Sequence, residues 1–462
     1  MSTLIKGGTV VSPKGSIVSD IRFENGIISE VGVNLPLLDS ELTDATGCLL
    51  FPGFIDAHTH LDMDTGSAVT ADDFRTGTRA AISGGTTTLV DFATQNKGET
   101  LMQALQNWHQ KADGVSSCDY AFHMAITDWN PSVSNEVQAM VDEGVTSFKL
   151  YLAYDALRVN DAELYQVLKR VKQVHGIVGV HCENGDLVNE LVRAYLDAGQ
   201  RGPDAHPKSR PDDVEAEAVS RYLYIASLVD TPVNIVHLST QKGLWEVEKA
   251  RSRGQKVYVE TCPQYLMMDE SRYSLPGFEG AKYVISPPLR KLTDQSALWG
   301  ALKEGEIDTI STDHCSFNFA RQKELGKEDF SKIPNGMPGI EHRPAILYTY
   351  GVCENRITQE QMVAMLSENT ARLFGMYPQK GVLKVGSDAD IVLWDPLYHG
   401  EITAAAQLQN VDYTPYEGVA VTGRAKMVFL RGKQVVADGK VIAEQQGGYV
   451  RRGPSEYFPN HK

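Results

Sequence analysis

Several features are missing from this sequence, and each absence removes a class of function. The six cysteines stand far apart, at Cys48, Cys118, Cys182, Cys262, Cys315 and Cys353, and none forms a C-x-x-C pair. At 462 residues the chain needs no disulfide framework, so scattered, reduced thiols are expected. No apolar run is long enough to span a bilayer. The opening MSTLIKGGTVVSPKG lacks the apolar stretch of a signal peptide. Together these predict a cytoplasmic protein with no membrane partner. No G-x-G-x-x-G follows the early strands, which speaks against dinucleotide binding. There is no low-complexity segment and no long run of one charge sign. The net charge of −15 disfavours nucleic acid as a partner.

What remains is ordinary for an enzyme-sized globular chain, with 42% hydrophobic and 22% charged residues. Such a length suits one large catalytic domain and a smaller one. Residues 1–50 carry short apolar runs split by Gly7-Gly8 and Asn25-Gly26, the pattern of β-hairpins. Residues 379–462 repeat that texture, with strands at 389–394, 426–431 and 434–436, an Asp438-Gly439 turn and an extended tail over the last twenty residues. The two ends therefore predict one small β-rich domain built from both termini. Between them, 51–378 alternates. Apolar strand runs lie at 85–91, 147–152, 176–181, 232–238, 256–261 and 307–313, with helical stretches such as 161–174, 213–228 and 241–253 among them. Repeated strand–helix alternation predicts a parallel α/β sheet closed as a (β/α)₈, TIM-like barrel.

The strand runs end in residues that carry chemistry: His58 and His60, Lys149, His181, His237 and Asp313. In an α/β barrel the C-terminal strand ends form one rim, so these six converge there. Within Ile55-Asp56-Ala57-His58-Thr59-His60, residues two apart on a strand project to the same side, and two imidazoles can grip one metal. Alone, such a pair is equally a polar strand end. A lone strand-end histidine is ordinarily structural, but His181 and His237 join the H-x-H pair and Asp313 to make a ligand set for two metals. Asp313 read by itself could instead cap the following helix. Lys149 is the odd member, because an ammonium repels divalent cations. It is a Schiff-base lysine, a lysine N-carboxylated by carbon dioxide to a bridging carbamate, or a salt-bridged structural residue. The other eight histidines, among them His123, His206, His314, His342 and His461, read as surface or supporting residues.

At this point the chain resembles the amidohydrolase superfamily, and within it the cyclic amidases of hydantoinase and dihydropyrimidinase type, bacterial phenylhydantoinases in particular. The H-x-H, Lys, His, His, Asp series matches in order. So do Phe51-Pro52-Gly53, Ser147-Phe148-Lys149-Leu150-Tyr151-Leu152-Ala153-Tyr154, Glu260-Thr261-Cys262-Pro263, Ser286-Pro287-Pro288, Thr312-Asp313-His314 and Pro334-Asn335-Gly336. The resemblance covers almost the whole chain. It implies two divalent ions, expected to be zinc. His58, His60 and Asp313 would hold one, His181 and His237 the other, with carboxylated Lys149 and a hydroxide bridging both. That hydroxide would open a cyclic amide, giving an N-carbamoyl amino acid from a 5-substituted hydantoin or a dihydropyrimidine. Tyr154 would donate to the developing oxyanion, Asp313 would shuttle the proton, and backbone groups of Ser286 and Asn335 would hold the ring edge. A homotetramer is implied as well.

Related families separate on single residues. Dihydroorotases resemble this motif set but carry an arginine soon after H-x-H. Here Leu61-Asp62-Met63-Asp64 follows, two acids and no base, which predicts poor acceptance of an anionic substrate. Allantoinases lack the tyrosine matched by Tyr154, and an allantoinase-like activity is the alternative. Non-catalytic scaffolds of this fold have lost ligands, whereas this chain keeps all six.

Overall fold

In the computed structural model, which describes residues 2–456, eight parallel strands follow one another in chain order around a single sheet. They are Phe54–Thr59, Thr86–Thr94, Asp119–Ala125, Ser147–Tyr151, Ile177–His181, Val233–Ile235, Val257–Thr261 and Thr309–Ile310. Nearly every residue in them is buried, as expected of strands covered on both faces. The last strand is short, so side chains complete the ring. Thr312 donates from its backbone N and Oγ1 to the Asp56 carboxylate, at 3.0 and 2.7 Å. Buried Arg343 donates to the carbonyls of Ile55 and Ile310, at 2.9 and 2.7 Å. These contacts tie the eighth strand to the first and make the (β/α)₈ barrel.

The outer helices show why these segments are helical. In Asp161–Gln173, Leu164, Val167, Leu168 and Val171 form one buried stripe, and Asn160 with Glu163 makes a reciprocal cap that satisfies the first free backbone N–H groups. Asp212–Val229 and Gln241–Ser252 fall within a residue or so of the expected helices. One barrel strand escaped the pattern reading. Asp119–Ala125 is buried throughout, so it shows no alternation, and it ends in Met124-Ala125 rather than a ligand.

Both termini build a second, nine-stranded sheet. Its hinge is Leu49–Pro52, which pairs parallel with Ser2–Ser12 on one side and antiparallel with Ile391–Glu401 on the other. That strand runs through Gly53 into the barrel. A Cβ at Gly53 would lie 1.9 Å from Thr87 Oγ1, so only glycine lets the chain pass so close to the second strand. Trp394, 1% exposed, packs edge-on against Phe51 and Phe54 and joins the two cores. Under the barrel, buried Lys380 reaches Asp119, Asp388 and Asp390 at 2.6, 2.8 and 2.6 Å. The ammonium occupies the centre of this acidic cluster, which is therefore a structural ion group. The tail crosses the same end. Gly447 N donates to Ser116 O, and Arg452 donates to Ser147 Oγ at 2.8 Å. Of the tail expected over the last twenty residues, 457–462, with His461, lie outside the described residues. No described helix is long and apolar enough to cross a membrane.

Candidate active site

The six strand-end residues meet at the C-terminal rim of the barrel, at the floor of a cleft of about 1260 Å³. His58 is the last but one residue of the first strand, and His60 lies just past it, its backbone N donating to His314 O at 2.8 Å. His58 Nδ1 lies 2.7 Å from Glu260 Oε1. A carboxylate there takes the Nδ1 proton and leaves Nε2 a lone pair. That Nε2 has no hydrogen-bond partner although buried, and it stands 3.2 Å from Asp313 Oδ1. His60 Nε2 meets the same oxygen at 3.2 Å. On the other side, His181 Nε2 donates to Glu183 Oε2 at 2.8 Å, so Nδ1 is its lone pair, and this faces His237 Nε2 at 3.0 Å. Lys149 Nζ sits between the two groups, buried, above the Phe92 ring.

Burial sets the protonation states. It pushes the His58, His181 and His237 imidazoles below their usual range, with Lys149 adding to the effect, so they are neutral and able to ligate. Burial lowers Lys149 too, partly opposed by Asp313 and Glu260. Burial alone would raise Asp313, but His58 and His60 hold its carboxyl below the ordinary value. Lone pairs, neutral imidazoles and an ionised carboxylate are a donor set that fits hard-to-borderline divalent cations. His237, Asp313 and Tyr154 all carry positive φ, at 38°, 52° and 68°. Backbone conformations that L-residues rarely adopt thus occur at three of the site residues.

Tyr154 reaches over this floor. Burial raises its phenol, keeping the O–H as a donor. Asn335 Nδ2 donates to Tyr154 Oη at 3.3 Å, which leaves the Tyr154 proton free to point elsewhere. Ser286 turns its side chain inward. Its Oγ donates to Glu183 and accepts from Arg210 at 3.0 Å.

All nine expected site residues line this one cleft. Sequence reasoning gave no role to Glu183, Arg210 or Glu260, which orient His181, Ser286 and His58. Glu183, two residues after His181 on the same side, could have been found by periodicity. Arg210 comes from a separate loop and left no such signal. One expectation changes. The acids at 62–64 do not stand alone, because Lys111 lies 4.0 Å from the Asp62 carboxylate, and Lys97 and Lys332 share the cleft wall with Asp64. A base absent from the linear neighbourhood is supplied by helix Leu101–Ala112. Repulsion by that loop is thus not a reason to exclude anionic substrates.

Four imidazoles, a lysine and an aspartate gathered at the C-terminal rim of a (β/α)₈ barrel define a class, the barrel hydrolases that use metal-type ligands. The model of the amidohydrolase family matches residues 49–435, and the chain belongs to that family. It is 44% identical over 455 residues to a D-hydantoinase of Geobacillus stearothermophilus, covering 98% of this chain and 97% of that one. It is 41% identical over 458 residues to a D-phenylhydantoinase of Escherichia coli strain SE11, covering 98% and 99%. Among solved structures, the dihydropyrimidinase of Brevibacillus agri NCHU1002 superposes with a TM-score of 0.97 at 44% identity, over 98% of this chain and 99% of that one.

Proposed function

We propose that this enzyme is a cyclic amidase that hydrolyses 5-substituted hydantoins or dihydropyrimidines to N-carbamoyl amino acids. The observation that carries this reading is the pair of facing lone-pair sets, His58/His60/Asp313 and His181/His237, with Lys149 between them and Tyr154 above. Each set would hold one divalent ion; zinc suits a site built mainly of imidazoles with one carboxylate. Lys149, N-carboxylated to a carbamate, would replace a repelling positive charge with a negative one and so serve as a ligand. When bound, two such ions supply a water that is deprotonated near neutral pH.

The chain's own groups do the rest. Backbone groups of Ser286 and Asn335 hold the alternating N–H and C=O edge of the ring. Tyr154 donates a hydrogen bond to the carbonyl oxygen as negative charge develops there. Asp313 accepts a proton and returns it to the leaving ring nitrogen. In this reading residues 51–378 are the catalytic domain, and 1–50 with 379–462 form the supporting β-domain. We take it to act as a homotetramer, the form the family resemblance implies, and to work in the cytoplasm. A side-by-side measurement of kcat/KM on metal-loaded enzyme tests the assignment. Hydantoins or dihydrouracil are expected to lead. Dihydroorotate or allantoin outrunning all of them would overturn it.

A further inference from the structure

Lys323 is fully buried, and among the described residues no carboxylate forms an ion pair with it. Its ammonium is satisfied in another way. The three N–H groups donate to three backbone carbonyls: Val284 at 2.9 Å, Pro334 at 2.7 Å and Gly336 at 2.7 Å. An ammonium has three donors and no acceptor, so the count closes. The Phe317 ring lies beneath it at 5.9 Å. Burying a cation with no counter-ion is costly, and a chain that does so has placed it where its hydrogen bonds matter.

The carbonyls it joins belong to the two segments that bracket the cleft. Val284 is two residues before Ser286, and Pro334 and Gly336 flank Asn335 on both sides. Among the described residues one backbone bond ties these segments directly, Gly336 N to Val284 O at 3.0 Å. Gly336 has φ +158°, and a Cβ there would meet Cys315 O at 2.2 Å, so the segment is pressed against the loop that follows Asp313.

We infer that Lys323 is a positioning residue for substrate: it clamps the 284–286 and 334–336 segments at one spacing and so sets the grip on the two edges of the ring. This rests on the reading of Ser286 and Asn335 as the ring-binding backbone. A grip on a neutral ring exists in the ground state and in the transition state alike. Its loss therefore raises KM and leaves kcat nearly unchanged.

The test uses full-length, metal-loaded enzyme with dihydrouracil. Lys323→Met keeps the chain length and removes all three donors; Lys323→Gln keeps two. The expected result is a KM raised tenfold or more in Lys323→Met and by less in Lys323→Gln. kcat should stay within about threefold, and metal content should match the parent. KM within twofold of the parent in folded Lys323→Met overturns the inference, as does a fall in kcat at constant KM. If neither variant folds, hydrogen exchange on the unaltered enzyme decides. The Lys323 ammonium protons must exchange slowly without ligand, and exchange at the rate of an exposed lysine overturns the clamp. Failure of the parent enzyme to open any cyclic diamide would instead sink the functional reading, leaving the exchange result to report on the clamp itself.

Discussion

Replacing Tyr154 by phenylalanine deletes one hydroxyl and keeps the ring. The ring's surroundings do not need the oxygen: the His181 imidazole is 5.4 Å away and the Arg210 guanidinium 5.5 Å from its centroid. Asn335 Nδ2 donates to Oη at 3.3 Å, a long bond. Losing it costs about 1 kcal/mol of stability or less. Burial keeps the phenol protonated, so its O–H can donate a hydrogen bond when an oxyanion forms. Removing one such donor typically costs about 100-fold to 1000-fold in turnover, roughly 2.7–4 kcal/mol of barrier. Tyr154→Phe should thus lose about 100-fold in kcat on a hydantoin, with KM and metal content little changed. Steady-state kinetics with elemental analysis and a thermal melt separate these effects. A variant that keeps kcat within threefold would show that Tyr154 only packs.

Three further outcomes are expected. Elemental analysis should find about two divalent ions per chain, and Lys149→Ala should lose most activity and be partly restored by short carboxylic acids; full activity with a free Lys149 ammonium would contradict the carbamate. Lys380→Met should destabilise by about 3–5 kcal/mol in denaturant titration, because it removes the buried cation shared by Asp388, Asp390 and Asp119 and leaves only Arg431 beside Asp119; an unchanged midpoint at neutral pH would refute the structural ion group. Burial lowers His206 to about 3 and His342 to about 4 from an ordinary 6.5. The unfolded chain then binds protons first, so stability should fall as pH drops from about 6.5 towards 4. A denaturation midpoint that stays flat across that window would contradict it.

The sequence by itself determined a good deal here. Period-two spacing put His58 and His60 on one side of a strand, and strand–helix alternation implied a barrel whose strand ends share a rim. Those two local rules were enough to bring six dispersed residues into one site. The paired β-texture of the termini likewise implied one shared sheet. What local pattern could not carry is anything made between distant segments. Asp119–Ala125 has no alternation because both its faces are covered. Arg210 reaches Glu183 and Ser286 only because loops from different barrel units overlap above the rim. Lys111, in a helix far along the chain, offsets an aspartate that looked unopposed. Lys323 looks like one more surface lysine until the fold surrounds its ammonium with three carbonyls. Side-chain period is a property of a single element and can be read along it, whereas burial, charge pairing and the direction of a lone pair are set by what the fold brings alongside.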